Sequence, residues 1–460
     1  MKEPLLENVR LDPHTYYFLY VGEIKAVGLN NFMRRPLERM YGRPVDFISI
    51  VPDVLTRYPD GNLIVINSKA LETFNRTGKQ CNIRIPAGIF AEEVSENPVV
   101  INLIDMILDR QSEVFVNVFE ARNELSLTDD DRVRLIGPAP DLASTFNNKL
   151  IQYEMIKALA IPVLSGKGCG SLDEAVTVAE TYFKAGDRVF VSGAYSAAGS
   201  NSIIANTSRE IRDRFPEQEG KLLVTRFVEH VHDPTVLGIV AGEGDVYIAS
   251  VADQKVEGTQ FKGSTYPTVL DIETVRDLVE MTRTIGKHLG GQGYRGTFGC
   301  DYIVDHDGNI FFIEINARKQ GTTLETTLTM IHHLPAHPYF PELEFHAVTE
   351  GRFPDRSREM DPAKSRICWG TFNYKTDRDI VVNRDVEPMI PEPELFSCAV
   401  NGKLLRERYI IEDHVGGGVT IKAGGFLGRV IAASDNLPDV HSSLKRGIER
   451  VSDTMEEPPT

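Results

Sequence analysis

Three side chains late in the chain have the types and spacing of a magnesium site. Asp301 precedes an Asp-Gly hairpin signal, and Glu314 and Asn316 follow that signal on a predicted returning strand. Residues two apart on a strand share a face, so Glu314 and Asn316 can both lie opposite Asp301. Oxygen ligands without His or Cys favour Mg²⁺ over Zn²⁺. Arg318 joins this face with a donor fork that suits a phosphate or a carboxylate.

The same segment also has a purely structural interpretation. A hairpin can carry Asp, Glu and Arg side chains that are solvated or ion-paired and bind nothing. Glu314, however, follows the apolar run 310–313, where a carboxylate is costly to bury unless it is paired or metal-bound. The combination therefore favours the metal site.

The elements before this hairpin predict an α/β chain. Over residues 1–145, buried strand patterns such as 15–22 alternate with helical patterns such as 30–42, which is typical of a largely parallel sheet. The Gly-Pro-Ala-Pro sequence at 137–140 predicts a hinge. Residues 147–162 then predict one amphipathic helix, and 171–186 predict a second that begins with a Ser171 cap.

The later segments predict mainly strands around one long helix. β-branched strands separated by glycine lead to a helix from Ile272 to about Leu289, and the hairpin follows it. Beyond His337 and Pro338 the sequence returns to strand-like pieces, at 367–375, 394–400, 404–412, 418–423 and 428–434. These pieces predict a β-rich C-terminal region.

Composition limits the classes of partner. The chain has 460 residues, 42% of them hydrophobic, and a net charge of −16. Such a charge argues against electrostatic binding to nucleic acid or to an anionic membrane. The five cysteines are scattered, which predicts reduced thiols. The sequence also shows no signal-peptide pattern and no long apolar run, so we expect a cytoplasmic protein.

The sequence from Gly299 to Arg318 resembles the metal-binding hairpin of the ATP-grasp superfamily. The resemblance lies in the step from Asp301 to Glu314 and in the Glu-x-Asn-x-Arg ending. It implies that Asp301, Glu314 and Asn316 hold two Mg²⁺ ions on the phosphates of ATP, a place that Mn²⁺ can also take. It implies a catalytic role for Arg318 in stabilising the acyl phosphate or the tetrahedral intermediate.

The resemblance also implies a nucleotide-binding set, though here one departure stands out. Ser192 occupies the position where the family usually has a second phosphate-side lysine, and Lys255 and Lys262 are the nearest replacements. In the implied set, Lys149 contacts the ATP phosphates, and Lys262 is the replacement lysine. The backbone of Arg226, Phe227 and Val228 grips adenine, with Glu229 or Asp233 as the polar partner. Ser196 and Ser200 belong to a lid of small residues over the phosphates.

The layout is similar to that of natural-product ligases of the pheganomycin peptide-ligase type. It implies a pre-ATP-grasp α/β domain over 1–145, a two-lobed α+β ATP-grasp domain over 146–335, divided near 222, and an extra C-terminal β-rich domain over 336–460. The implied activity joins an amino-acid-like carboxylate to an amine or peptide N-terminus through an acyl phosphate, in peptide natural-product biosynthesis. Ligases of this layout are often dimers, so a homodimer is implied as well.

Two other functions remain open at the level of sequence. One is transfer of the acyl group to a carrier-protein thiol, as in the butirosin-type ligase. The other is a non-catalytic nucleotide-binding module, which the serine at position 192 would suit. An intact set of metal-binding side chains speaks against the second.

Overall fold

The N-terminal segment forms a parallel sheet with helices around it. The structure is a computed structural model, and it describes residues 9, 11–58, 61–195, 201–216, 220–361, 364–403, 405 and 407–456. The elements of this segment are β1 (Tyr16–Val21), α1 (Asn30–Tyr41), β2 (Val45–Val51), β3 (Leu63–Val65), α2 (Ser68–Thr77), β4 (Cys81–Asn82), α3 (Ala87–Glu96), α4 (Pro98–Leu108), β5 (Val114–Val118), β6 (Val133–Ile136) and α5 (Pro140–Asn147).

The strand order of this sheet is β3-β2-β1-β5-β6, and every pairing in it is parallel. All six residues of β1 are buried at the centre. Because parallel strands end at one edge of a sheet, the loops that follow β1, β2 and β5 lie side by side. Ligands commonly bind at this edge in α/β proteins.

A small antiparallel lobe follows. Its elements are α6 (Lys149–Ala158), β7 (Gly166–Cys169), α7 (Leu172–Lys184), β8 (Val189–Gly193), β9 (Ser202–Ala205), α8 (Ser208–Arg214) and β10 (Leu222–Arg226). The sheet has the order β7-β10-β8-β9, and α7 and α8 pack around a core of its own. The hydroxyl of Ser171 accepts a hydrogen bond from the Glu174 amide, which confirms the predicted cap of α7.

The single helix predicted over 147–162 is wrong in its bounds. Asn148 has extended backbone angles, and its side chain accepts hydrogen bonds from the amides of Leu150 and Ile151. It therefore separates α5 from α6 and acts as the cap of α6. The break places Lys149 at the first position of a helix.

The rest of the chain forms one large antiparallel sheet with its helices. The elements are β11 (His230–His232), β12 (Pro234–Gly242), β13 (Asp245–Glu257), β14 (Gln260–Tyr266), α9 (Ile272–Gly291), β15 (Gly296–Asp305), β16 (Ile310–Asn316), α10 (Thr323–His333), α11 (Phe340–Glu350), β17 (Cys368–Lys375), β18 (Ile380–Val382), α12 (Glu392–Val400), β19 (Tyr409–Glu412), β20 (Thr420–Ile421), β21 (Phe426–Ser434), α13 (Leu437–Ser452) and β22 (Met455–Glu456).

The C-terminal strands extend the sheet that carries the hairpin. Its order is β11-β15-β12-β13-β14-β17-β21-β19, with β16 added on β15. The indole of Trp369 in β17 stacks on Tyr266 of β14 at 5.5 Å and donates a hydrogen bond of 3.0 Å to Thr329 of α10. A short sheet, β22-β18-β20-β4, ties the C-terminal segment back to the N-terminal one.

One predicted C-terminal strand is a helix. Residues 394–400 belong to α12, which has Pro393 in its first turn together with the acidic Glu392 and Glu394. Proline and acidic residues favour a helix start, and burial of Leu395 and Phe396 on one side completes the helix. Among the described helices, none is long and apolar enough to cross a membrane.

Candidate functional site

The β15–β16 hairpin sets the spacing of the predicted metal ligands. In its register Asp301 lies opposite Glu314 and Gly299 opposite Asn316. The register shifts after Asp301, because Tyr302 pairs with Phe312 and leaves Ile313 as an extra residue. This bulge brings the Glu314 side chain onto the face that Asp301 uses. The expected apposition of the two carboxylates is therefore present.

Asp301 is held by donors from several strands. It is 8% exposed and accepts hydrogen bonds from the Thr235 hydroxyl at 2.6 Å, the Asn316 amide at 2.8 Å and the Gln254 amide at 2.9 Å. Burial and the facing charge of Glu314 raise the pKa of Asp301 from 3.8 to about 6. Two carboxylates that repel each other in a buried place suit a bound cation.

Glu314 and Arg318 meet groups from other parts of the chain. The Glu314 carboxylate is ion-paired with the ammonium group of Lys149 at the start of α6. The Arg318 guanidinium donates to the Asn316 amide oxygen at 2.8 Å and lies 5.9 Å from the centre of the Phe119 ring. The predicted phosphate lysine, the predicted metal ligands and the predicted catalytic arginine thus lie together.

The donor set fits magnesium without being complete on its own. Asp301, Glu314 and Asn316 offer only carboxylate and amide oxygens, the ligands that Mg²⁺ prefers. In the described part of the chain, no three His, Cys, Asp or Glu side chains gather as a metal-binding group. Oxygens from a ligand such as a triphosphate would complete the coordination, so the residues fit a metal that arrives with a nucleotide.

The predicted adenine hinge connects the two lobes. The backbone amides of Arg226 and Phe227 donate to the carbonyl oxygens of Ser165 and Arg188, at 2.8 and 2.9 Å. The backbone oxygen of Val228 contacts the His230 ring at 3.1 Å. The nucleotide role of these residues stays a prediction.

The two polar candidates for the adenine site already have partners. Glu229 pairs with Arg188, and Asp233 lies 2.9 Å from the His230 ring, which raises the pKa of that histidine. Either carboxylate would have to share or leave its partner to contact a nucleotide, so this part of the prediction stays untested.

The lysine that Ser192 replaces has no clear substitute. Ser192 is 1% exposed, and its hydroxyl lacks a hydrogen-bond partner within the described residues. Lys255 pairs with Glu257 at 3.7 Å, while Lys262 lies partly buried in β14. The predicted lid residues Ser196 and Ser200 lie outside the residues that the structure describes.

A cavity of about 780 Å³ opens beside the hairpin, and most of its lining comes from three parts of the chain. Glu314, Asn316 and Arg318 line it from the hairpin. The loops after β1, β2, β4 and β5 line it from the N-terminal segment, and the end of β17 and the start of β21 line it from the C-terminal segment. Sequence reasoning missed Asp53, Arg84 and Lys375 of this lining, because they stand in no motif.

The comparison with known families identifies the fold. Residues 146–322 match the family profile described as ATP-grasp domain. The biotin carboxylase of Campylobacter jejuni, solved as a β-γ-ATP complex, superposes with a TM-score of 0.64 at 13% identity, over 95% of this chain and 91% of that one. The protein has an ATP-grasp fold. Carboxyaminoimidazole ribonucleotide synthase of Aspergillus clavatus, solved with ATP, gives a TM-score of 0.58 at 13% identity, covering 96% and 100% of the two chains.

A curated relative has a higher sequence identity to this chain, over a shorter segment. L-propargylglycine–L-glutamate ligase of Streptantibioticus cattleyicolor is 32% identical over 124 residues, which is 27% of this chain and 25% of that protein. The chain spans a quarter or less of the length of the first curated relatives that it matches. Residues 301–318 lie inside the segment that matches the ATP-grasp profile.

Proposed function

We propose that the protein is an ADP-forming ligase that joins a carboxylate to an amine through an acyl phosphate. The observation that carries this proposal is the meeting of Lys149, Asp301, Glu314, Asn316 and Arg318 beside a large cavity. These groups come from the two strands of the hairpin, the segment just after it and one helix of an ATP-grasp fold. Their charges match those of a triphosphate, its metal and a reacting carboxylate.

In this proposal the hairpin and α6 hold the nucleotide phosphates. Asp301, Glu314 and Asn316 hold Mg²⁺, which when bound neutralises phosphate charge and orients the γ-phosphoryl group. Lys149, already placed beside Glu314, has an ammonium group that can turn to a phosphate oxygen. The hydrogen bonds on Asp301 fix its carboxylate in one orientation before a ligand binds.

Arg318 faces the carboxylate substrate from the cavity side. An oxygen of that carboxylate attacks the γ-phosphorus and ADP leaves, which gives an acyl phosphate. The amine then attacks the acyl carbon, and the carbon–oxygen bond to phosphate breaks as the amine loses a proton. The Arg318 guanidinium, steadied by Asn316, stabilises the charge on the oxygen of the tetrahedral intermediate.

The substrate class that we propose is amino-acid-like, and the product is a peptide bond. The support is the similarity to L-propargylglycine–L-glutamate ligase, whose name gives two amino acids as substrates, together with a cavity large enough for two small substrates. A role in making peptide natural products, of the kind the pheganomycin-type resemblance implies, belongs to the same proposal.

A nucleotide product assay tests the proposal. The purified protein is given Mg²⁺, ATP, hydroxylamine and single amino acids in turn, and the products are separated by chromatography. We expect ADP, phosphate and an amino acid hydroxamate in equal amounts. AMP and pyrophosphate would mean adenylation and would contradict the proposal, and nucleotide binding without turnover on any acid would favour the silent module.

A further inference from the structure

Two cations on the cavity wall form no ion pair with the described residues. Lys375 ends β17, and Arg84 lies in the loop after β4. Neither side chain forms an ion pair or a hydrogen bond with the part of the chain that the structure describes. Lys375 is partly buried, whereas Arg84 is exposed. A partly buried charge without an ion pair, such as that of Lys375, costs free energy, which an anionic ligand recovers.

The fold holds these two cations on the same wall. The Asn82 amide of β4 donates a hydrogen bond of 3.0 Å to the backbone oxygen of Phe426, and Phe426 pairs in register with Lys375. The loop that carries Arg84 is thereby fixed against the end of β17. All four residues line the cavity.

Three other lysines in or near the cavity are ion-paired, unlike Lys375. Lys25 pairs with Glu23, Lys149 with Glu314, and the buried Lys319 with Glu344 at 2.6 Å. Burial and the nearby charges of Lys25 and Arg84 lower the pKa of Lys375 from 10.5 to about 8, so the ammonium group remains mostly charged at pH 7. The Glu23 carboxylate opposes this lowering of the pKa, but it is already ion-paired with Lys25. Lys375 and Arg84 therefore present positive charge to the cavity without an ion pair of their own among the described residues.

The position of the pair favours a substrate anion over the nucleotide. The proposed phosphate site lies at Lys149 and the hairpin, whereas Lys375 and Arg84 belong to the C-terminal and N-terminal segments. They share the cavity with the loops at the carboxyl edge of the parallel sheet, where a small-molecule substrate would bind. Arg318 serves the reacting carboxylate, so the anion at Lys375 is a second group.

We propose that Lys375 and Arg84 bind a carboxylate that does not react, carried by one of the two co-substrates. The inference rests on the proposed ligase function. It adds that one co-substrate carries a carboxylate besides the group that reacts. The acid is either the side-chain carboxylate of an acidic amino acid or the free C-terminal carboxylate of an amino acid or peptide acceptor.

Calorimetric titrations test this inference without turnover. Acids and their amides are titrated in matched pairs, with Mg²⁺ and a non-hydrolysable ATP analogue present and then absent. Glutamate against glutamine reports a side-chain carboxylate, and glycylglycine against glycylglycinamide reports a C-terminal one. We expect the acid of one pair to bind about tenfold more tightly than its amide.

Variants then assign the preference to this wall. In Lys375→Met and Arg84→Met the acid and the amide should bind equally, whereas Lys375→Arg should keep the preference. Lys422→Met is the matched control, because Lys422 pairs with Asp379 in the same segment and does not line the cavity. Thermal melting of each variant checks that it is folded.

The outcomes separate this inference from the proposed function. Equal affinity for acid and amide in the unaltered protein, or no binding of either up to about 10 mM, would overturn the inference. So would a Lys375→Met variant that binds the ATP analogue more weakly and keeps the acid preference. An acid preference that depends on Lys375 in a protein that releases no ADP would contradict only the ligase function.

Discussion

The charged side chains on the two sides of the cavity differ in whether they have partners. On the hairpin side Glu314 pairs with Lys149, Arg318 with Asn316, and Asp301 accepts several hydrogen bonds. On the wall formed by the end of β17 and the loop after β4, Lys375 and Arg84 have no ion pair among the described residues. Groups that are already held in place suit chemistry on a ligand, because they need no rearrangement at the moment of reaction. Groups without a partner suit recognition, because the ligand supplies the missing charge.

Breaking the buried ion pair of Lys319 and Glu344, just behind the hairpin, should give the largest effect on stability. Both side chains are 2% exposed, and Lys319 also donates to the Val118 backbone oxygen at 2.8 Å. Lys319→Met should lower the free energy of unfolding by about 3–5 kcal/mol, because Glu344 is left buried without its partner. Urea unfolding measures the change.

The control for that experiment is Lys364→Met, which removes an exposed lysine paired with Asp361 at 2.9 Å. Its effect should stay below about 1 kcal/mol. Equal effects of the two substitutions would show that the buried pair is not special.

Removal of the Glu314 charge tests the reacting side. Glu314→Gln should lower the rate of ADP release at least about 100-fold, because it weakens metal binding and leaves Lys149 without its partner. The coupled assay for ADP measures it. Asp307→Asn removes an exposed carboxylate from the turn of the same hairpin and should keep nearly full activity.

Lys375 should behave in the opposite way to Lys319. Its pKa is lowered to about 8, whereas in the unfolded chain it is near 10.5, so between these values the unfolded chain binds more protons. The free energy of unfolding should therefore rise by about 1–2 kcal/mol from pH 8 to pH 10.5. Lys375→Met should flatten this rise and be no less stable than the unaltered protein at pH 7. A large loss of stability at pH 7 would mean that Lys375 has a structural partner.

Ser192 gives the smallest predicted effect. Its buried hydroxyl has no partner among the described residues, so Ser192→Ala should change the free energy of unfolding by less than about 0.5 kcal/mol. Ser171→Ala is the matched control, because it removes a hydroxyl that caps α7, and it should cost about 1 kcal/mol. A tenfold loss of nucleotide affinity in Ser192→Ala would show that this serine takes over the task of the lysine that it replaces.

The sequence predicted those parts of the fold that local patterns decide. The Asp-Gly turn and the alternation on both strands define the hairpin, and a capping serine marks the start of α7. Local patterns misled at 394–400, where apolar β-formers lie in a helix whose first turn contains proline and glutamate. They also missed the break at Asn148, which depends on one side chain turning back to cap the next helix.

The parts that the sequence did not predict depend on contacts between distant residues. Lys149 and Glu314 are 165 positions apart and meet only because α6 packs beside β16. Arg84 and Lys375 reach one wall through the pairing of β4 with β20 and the contact of Asn82 with Phe426. No local signal in the sequence marks these cations, and only the three-dimensional structure shows that they share a wall without an ion pair among the described residues.

Oxygen transfer from the carboxylate tests the ligase mechanism most directly. A carboxylate substrate found in the hydroxamate assay is labelled with ¹⁸O in its carboxyl group, and the phosphate released during amide formation is analysed by mass spectrometry. The acyl-phosphate route predicts one labelled oxygen in each phosphate released, because the carboxylate oxygen that attacked the γ-phosphorus leaves with it. Label in AMP, or phosphate without label, would contradict the account.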